Sequence, residues 1–188
     1  MGTQAVGISK FKSDTPVLLV DLDKLERNIT RMADLFREAR VSWRPHVGGQ
    51  RVPAIAHLQM AVGAVGVACG RVEEAEVLVS AGIKDVLITS QIVGPGRIAR
   101  FVNLSRRAAV IATVDSVQNV RDLDAAAQEK EVRPRVVVEV NVGMDCSGVE
   151  PGTDAVTLSR EVARSKGLRY IGLTAHDGHM AGMRDNEE

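Results

Sequence analysis

The stretch RVVVEVNVG (135–143) decides how this chain is read. It is short, β-branched and almost continuously apolar. A strand with one wet face alternates apolar and polar residues. A continuous run marks a strand covered on both faces, as in a parallel sheet flanked by helices. The same texture recurs in PVLLVD (16–21), VSWRPHV (41–47), AVGVACG (64–70), DVLITSQ (85–91), AVIATVD (109–115) and YIGLTAHDG (170–178).

The segments between these runs carry a helical period. Leu22, Leu25, Ile29, Met32, Leu35 and Phe36 fall on one face of a helix, with Asp23 and Glu26 spaced as a capping box. Further helices are predicted over 53–62, 72–81, 95–107, 117–130 and 153–166, with Gly82 and Gly167 at C-cap positions. From residue 41 onward the chain repeats strand then helix, with strand starts about 21 to 35 residues apart. Such repeats imply a parallel sheet with right-handed crossovers. No G-x-G-x-x-G follows the first strand, which weighs against a dinucleotide-binding fold. Short helices and even spacing favour a (β/α) barrel.

A complete barrel of that kind has eight strands and roughly 250 residues. This chain of 188 residues supplies about six βα units. The expected architecture is therefore α/β, an incomplete (β/α)8 TIM-type barrel lacking strands 7 and 8. It forms one partial domain over 1–188, with 1–21 as a leading segment and 22–188 as the βα units. Residues 16–21 are expected outside the barrel, feeding the first helix. The first and sixth strands are each expected to leave an open edge.

Composition narrows the function classes. Lys+Arg and Asp+Glu both total 24, and aromatics are only 3 %. A balanced charge argues against a nucleic-acid or anionic-membrane partner, and so few aromatics argue against a base-stacking surface. No apolar run reaches the roughly 20 residues of a membrane span. The N-terminus lacks the features of a signal or transit peptide, and Cys69 and Cys146 are the two cysteines. The expected compartment is cytoplasmic, with both thiols reduced.

In a barrel, chemistry gathers where strands end. Those ends carry His46, then Gly70 and Arg71, Ser90 and Gln91, Asp115 and Ser116, Asn141, Asp145 and Cys146, and last His176, Asp177 and His179. His57 falls within a helix and reads as structural. Cys146, His176, Asp177 and His179 have the donor chemistry of a metal or acid–base site. Their spacing matches no established ligand pattern, and a loop bonded to itself explains them equally, so no metal ligand is assigned.

Several longer stretches carry a family likeness: TPVLLVDLDKLERNI (15–29), RPHV (44–47), VPAIAHLQMAVGAVGVAC (52–69), EAEVLVSAGI (74–83), QIVGPGRIARFVNL (91–104), VEVNVGMD (138–145) and GLTAHDGH (172–179). They resemble the pyridoxal-phosphate enzymes with an alanine-racemase-like N-terminal barrel, and within these the D-threonine aldolase and D-serine dehydratase group. The resemblance implies a lyase or isomerase acting on D-amino acids, a small amino-acid ligand, and a homodimer.

It also exposes departures. The family usually reads R-P-H-x-K-T-H-K, where the lysine forms the Schiff base with the cofactor; here that position is Gly48. The family's M-D-R-C-G-V becomes Met144, Asp145, Cys146, Ser147, Gly148, Val149, without the arginine. Its G-Y-E-G-H becomes Ala175, His176, Asp177, Gly178, His179, without the tyrosine. The family's C-terminal β-domain, which carries the divalent metal ligands of D-threonine aldolases, has no counterpart within these 188 residues. The resemblance therefore implies a degenerate cofactor pocket at His46, Gly48, Asn141, Cys146 and His176. The expected protein is a fragment or catalytically inactive homologue in which pyridoxal phosphate binds weakly or not at all. A barrel repurposed around Cys146, His176, Asp177 and His179 is the alternative.

Overall fold

Five parallel strands form one sheet in chain order: β1 (Val67–Cys69), β2 (Asp85–Ile88), β3 (Ala109–Val114), β4 (Arg135–Val140) and β5 (Arg169–Ala175). The computed structural model describes residues 9–12 and 14–181. A helix follows each of the first four strands: α3 (Val72–Ser80), α4 (Pro95–Leu104), α5 (Val117–Glu129) and α6 (Thr153–Arg164). Two helices precede the sheet, α1 (Leu22–Glu38) and α2 (Pro53–Ala61). This is the expected wall of an incomplete barrel. Among the described residues, no helix is long and apolar enough to cross a membrane.

The helix starts follow local chemistry. Ser116 caps α5 by accepting the Asn119 N–H at 3.2 Å. Pro95 opens α4 at a position that needs no donor, after Gly94 at φ 89°. At α1 the cap is Asp21, which accepts the Lys24 N–H at 3.1 Å, so the expected Asp23–Glu26 box is displaced by one earlier carboxylate. Gly82 follows α3 at φ 95°, as a helix-ending glycine does. Gly167 does not end a helix. It passes so close to α5 that a Cβ would sit 2.8 Å from the Asp124 carbonyl oxygen, and its N–H donates to the Asp124 carboxylate at 2.7 Å.

The expected first strand, 41–47, is reduced to one parallel bridge between His46 and Ala68. Ala68 donates to the Pro45 carbonyl and Val47 donates to the Ala68 carbonyl, both at 2.8 Å. The next rung toward the N-terminus would need an N–H on residue 45, and proline has none. Residues 16–21 lie outside the sheet as expected, with Leu18 98 % exposed.

Alternation sets the two faces of the sheet. Val67, Cys69, Val86, Ile88, Val110, Ala112, Val114, Val136 and Val138 enter the main core with Phe101, Leu123 and Leu158 of the helices. The intervening residues face the barrel interior: Ala68, Asp85, Leu87, Ile111, Thr113, Arg135, Val137 and Glu139. A smaller core joins α1 to α2 through Ile29, Ala33, Trp43 and Ala64, with Phe36 stacked on Trp43 at 6.2 Å. Burial on both faces does not extend to β5. A bulge opposite Val136 and Val137 accommodates Ile171, and Leu173 beyond it is 58 % exposed at the sheet edge.

Candidate functional site

The two ends of the barrel interior differ in chemistry. Where strands begin, the Asp85 carboxylate lies 2.7 Å from the Arg44 guanidinium and 2.6 Å from that of Arg135. Arg135 also donates to the Ala109 carbonyl at 2.7 Å, and Arg44 to that of Val67 at 3.3 Å. The Arg44 guanidinium lies where a Cβ on Gly66 would project, and that Cβ would also meet the Asp85 carbonyl oxygen at 2.8 Å. This end is filled and charge-paired.

Where strands end, the centre is Gly48. Its backbone is outside the left-handed region, so a residue with a side chain fits its φ. The space beside it is taken by His46: a Cβ on Gly48 would lie 2.6 Å from the imidazole Cε1. The Gly48 N–H donates to His46 Nδ1 at 3.2 Å. Arg51 folds back over the same turn, donating to the Gly48 carbonyl at 3.0 Å and pairing with Glu74 at 3.3 Å. The other Glu74 oxygen accepts the Gly70 N–H at 2.9 Å. Glu74 thus ties the turn to the end of β1. Sequence reasoning missed it, because its spacing on α3 looks like an ordinary solvated face.

Beneath this turn, on the helix side of β1, lies a cavity of about 270 Å³ lined by Val47, Gly48, Arg51, Cys69, Glu74 and Leu78, among others. Burial pushes the Cys69 thiol up to about 12, so it is not a nucleophile at neutral pH. A second cavity, of about 320 Å³, opens at the ends of β1 and β2 and includes Gly70, Arg71, Ser90, Gln91 and Arg97 in its lining.

Lys84, Lys130 and Lys166 stand in the turns that lead into β2, β4 and β5, at the charge-paired end. Lys24 lies on α1 and pairs with Asp21 at 3.2 Å; Lys10 and Lys12 belong to a short 3-10 turn far upstream in the chain.

The remaining candidates lie on two loops. Asn141 organises the first. Its amide donates to Asp145 at 2.8 Å and Glu150 at 3.2 Å, while its oxygen accepts the N–H groups of Gly143 at 3.0 Å and Asp145 at 3.2 Å. Two donors and two lone pairs are thereby committed to the loop itself. Asp115 closes the loop by accepting the Gly148 N–H at 3.2 Å. Cys146 is exposed and its sulfur meets the Ser147 hydroxyl at 3.7 Å. On the second loop, His176 turns back over Gly178, and His179 packs against Gly143. Asp177 precedes the short 3-10 turn Gly178–Met180 and is exposed. Among the described residues, no three His, Cys, Asp or Glu side chains converge to hold a metal ion. These loops are held by local bonds. His57 is structural as expected: its Nε2 meets the Ala81 carbonyl at 2.8 Å and links α2 to the end of α3.

Deeper in the mouth stands Glu139 on β4, 5 % exposed. Its carboxylate accepts a hydrogen bond from the Gln91 amide. Among the described residues no basic group pairs with it. Sequence reasoning took it for part of a strand, and only the pairing register turns it inward.

Comparison with known proteins accords with this geometry. The family model of the alanine racemase N-terminal domain matches residues 20–188. The 3-hydroxy-D-aspartate aldolase of Paracoccus denitrificans (strain Pd 1222) is 35 % identical over 184 residues, covering 97 % of this chain and 48 % of that protein. The D-threonine aldolase of an Arthrobacter species is 34 % identical, covering 93 % of this chain and 46 % of that protein. The crystal structure of D-threonine aldolase from Filomicrobium marinum superposes with a TM-score of 0.89 at 45 % identity, covering 91 % of this chain and 46 % of that one. Alanine racemase of Clostridium difficile 630, at 17 % identity and a TM-score of 0.70, shares the fold. The chain spans about half the length of the relatives it matches.

Proposed function

Since the chain belongs to the alanine racemase N-terminal-domain family of pyridoxal-phosphate proteins, we propose that it is a homologue of the D-amino-acid aldolases and dehydratases that has lost the covalent step of their chemistry. Gly48 carries this reading. A Schiff base needs a primary amine at the strand end, and a hydrogen cannot supply one. The Arg51 guanidinium that leans over the turn stays protonated and is a poor nucleophile. The His46 imidazole occupies the space into which a side chain from position 48 would emerge. The residues present do not fit covalently held pyridoxal phosphate, and no reaction step is routed through it.

What the mouth retains is the capacity to bind: a polar cavity at the ends of β1 and β2, and inward-facing groups on β3 and β4. The reading is therefore a small-molecule binding barrel without lyase or racemase turnover. Pyridoxal phosphate titration followed by borohydride reduction tests it. The parent chain is expected to yield no reduced adduct by mass spectrometry, and Gly48→Lys is expected to yield one. A trapped adduct on the parent would sink the proposal, because another lysine would then reach the mouth.

A further inference from the structure

We propose that the cavity of about 270 Å³ behind the Gly48 turn is a binding site for a small, uncharged, apolar molecule of the size of one or two aromatic rings. It lies on the helix side of β1, where Val47 and Cys69 enter the main core, and not on the interior side that faces the strand-end mouth. The proposal does not rest on the reading of Gly48.

The walls decide the class of ligand. Val47, Cys69 and Leu78 form the floor, and each is 4 % exposed or less. Val77 on α3 belongs to the same lining and is 56 % exposed, so a guest meets apolar surface at the entrance as well as at the floor.

The polar groups of the lining are already committed. The Cys69 thiol donates to the Arg71 carbonyl at 3.5 Å. Glu74 pairs with Arg51 at 3.3 Å and accepts the Gly70 N–H at 2.9 Å. Arg51 donates to the Gly48 carbonyl at 3.0 Å, and Glu73 accepts from Arg100 at 2.8 Å. Among the described residues, no buried side-chain atom of this lining is left without a hydrogen-bond partner.

Each carboxylate here therefore has its cation. A charged guest would leave water for a site that offers no counter-charge, and a polar one would find no free donor or acceptor. An apolar guest gains by leaving water and gives up no hydrogen bond. The space suffices: an engineered apolar cavity of roughly 150 Å³ stays dry and takes up benzene. Mostly apolar walls with a few fixed polar groups are also the usual make-up of a small-molecule pocket.

The test is calorimetric titration of the whole chain with toluene, and with benzoate and benzylammonium, which keep the ring and add a charge of either sign. Toluene is expected to bind at least tenfold more tightly than either. Val77→Trp places an indole at a position already exposed and should weaken toluene at least tenfold. Val156→Trp, at a comparably exposed position on α6, should stay within twofold of the parent. Thermal melting of each variant separates a blocked cavity from a lost fold. On the parent itself, toluene should shift the methyl resonances of Val47, Val77 and Leu78 and leave those of Val110 and Val136 in place. No saturable toluene binding, equal binding of a charged analogue, equal binding by the two tryptophan variants, or methyl shifts away from the cavity would each overturn the assignment. The borohydride adduct that tests Gly48 is read separately from all of these.

Discussion

The two ends of the barrel interior are built from the same strands and put to different uses. At the end where strands begin, Arg44, Asp85 and Arg135 fill the space and neutralise one carboxylate with two cations. At the end where strands stop, Gly48 offers no side chain and Glu139 is met by an amide alone. An inward position at one end thus closes the fold, and at the other leaves a charge for something else to satisfy. In barrels generally, the first end serves stability and the second serves ligands.

The comparison breaks most easily at the closed end. Asp85→Ala strands two guanidiniums, and the expected loss is about 3 kcal/mol, the low end for a broken buried pair because the side chains keep some exposure. The urea midpoint measures it; a loss within error would mean this end is no plug. Gly66→Ala is expected to cost about 1–3 kcal/mol, since the added methyl must displace either Arg44 or the β2 backbone. At the open end the sign should reverse: Glu139→Gln relieves an uncompensated carboxylate and is expected to gain about 1 kcal/mol at neutral pH. A clear loss instead would make the mouth a structural element like the bottom. Gly48→Lys should cost less than about 1 kcal/mol, because the backbone accepts a side chain and only the exposed His46 ring must swing aside.

The smallest effect belongs to neither end. The Arg100 guanidinium on α4 holds the Glu76 carboxyl on α3 below its ordinary range. A lowered folded value stabilises above the unfolded value and is lost as pH falls through the folded one. Glu76→Gln should therefore trail the parent slightly at neutral pH and converge with it in acid, as chemical denaturation at stepped pH would register.

The fold was largely legible because burial between two layers writes itself as local texture. The runs at 85–91, 109–115 and 135–143 hold β2, β3 and β4, and the helix periods end within a few residues of α2 to α6. What failed were places where a single atom decides. Pro45 lacks the N–H that would extend 41–47 into a ladder, and Asp21 reaches the α1 N-terminus before Asp23 does. Gly167 is small because Asp124 is close, a fact about α5 rather than about its own helix. The candidate site was legible at Gly48, where a motif shows a gap, and at Gly70, Arg71, Ser90 and Gln91, which stand at strand ends and line one cavity. Glu139 with Gln91, and Asp85 with Arg44 and Arg135, join residues 41 to 50 positions apart through strand register, which no local pattern carries.

The Cys69 thiol has a practical consequence of its own. It is sealed under the Gly48 turn, while Cys146 stands in the open. The chain therefore carries one sulfur that an alkylating reagent finds at once and one that it finds only when the turn lifts. With Cys146 replaced by serine, the labelling clock of Cys69 would time the opening of that turn in an otherwise unmarked protein. A ligand that settles in the mouth would slow the clock without any spectroscopic tag.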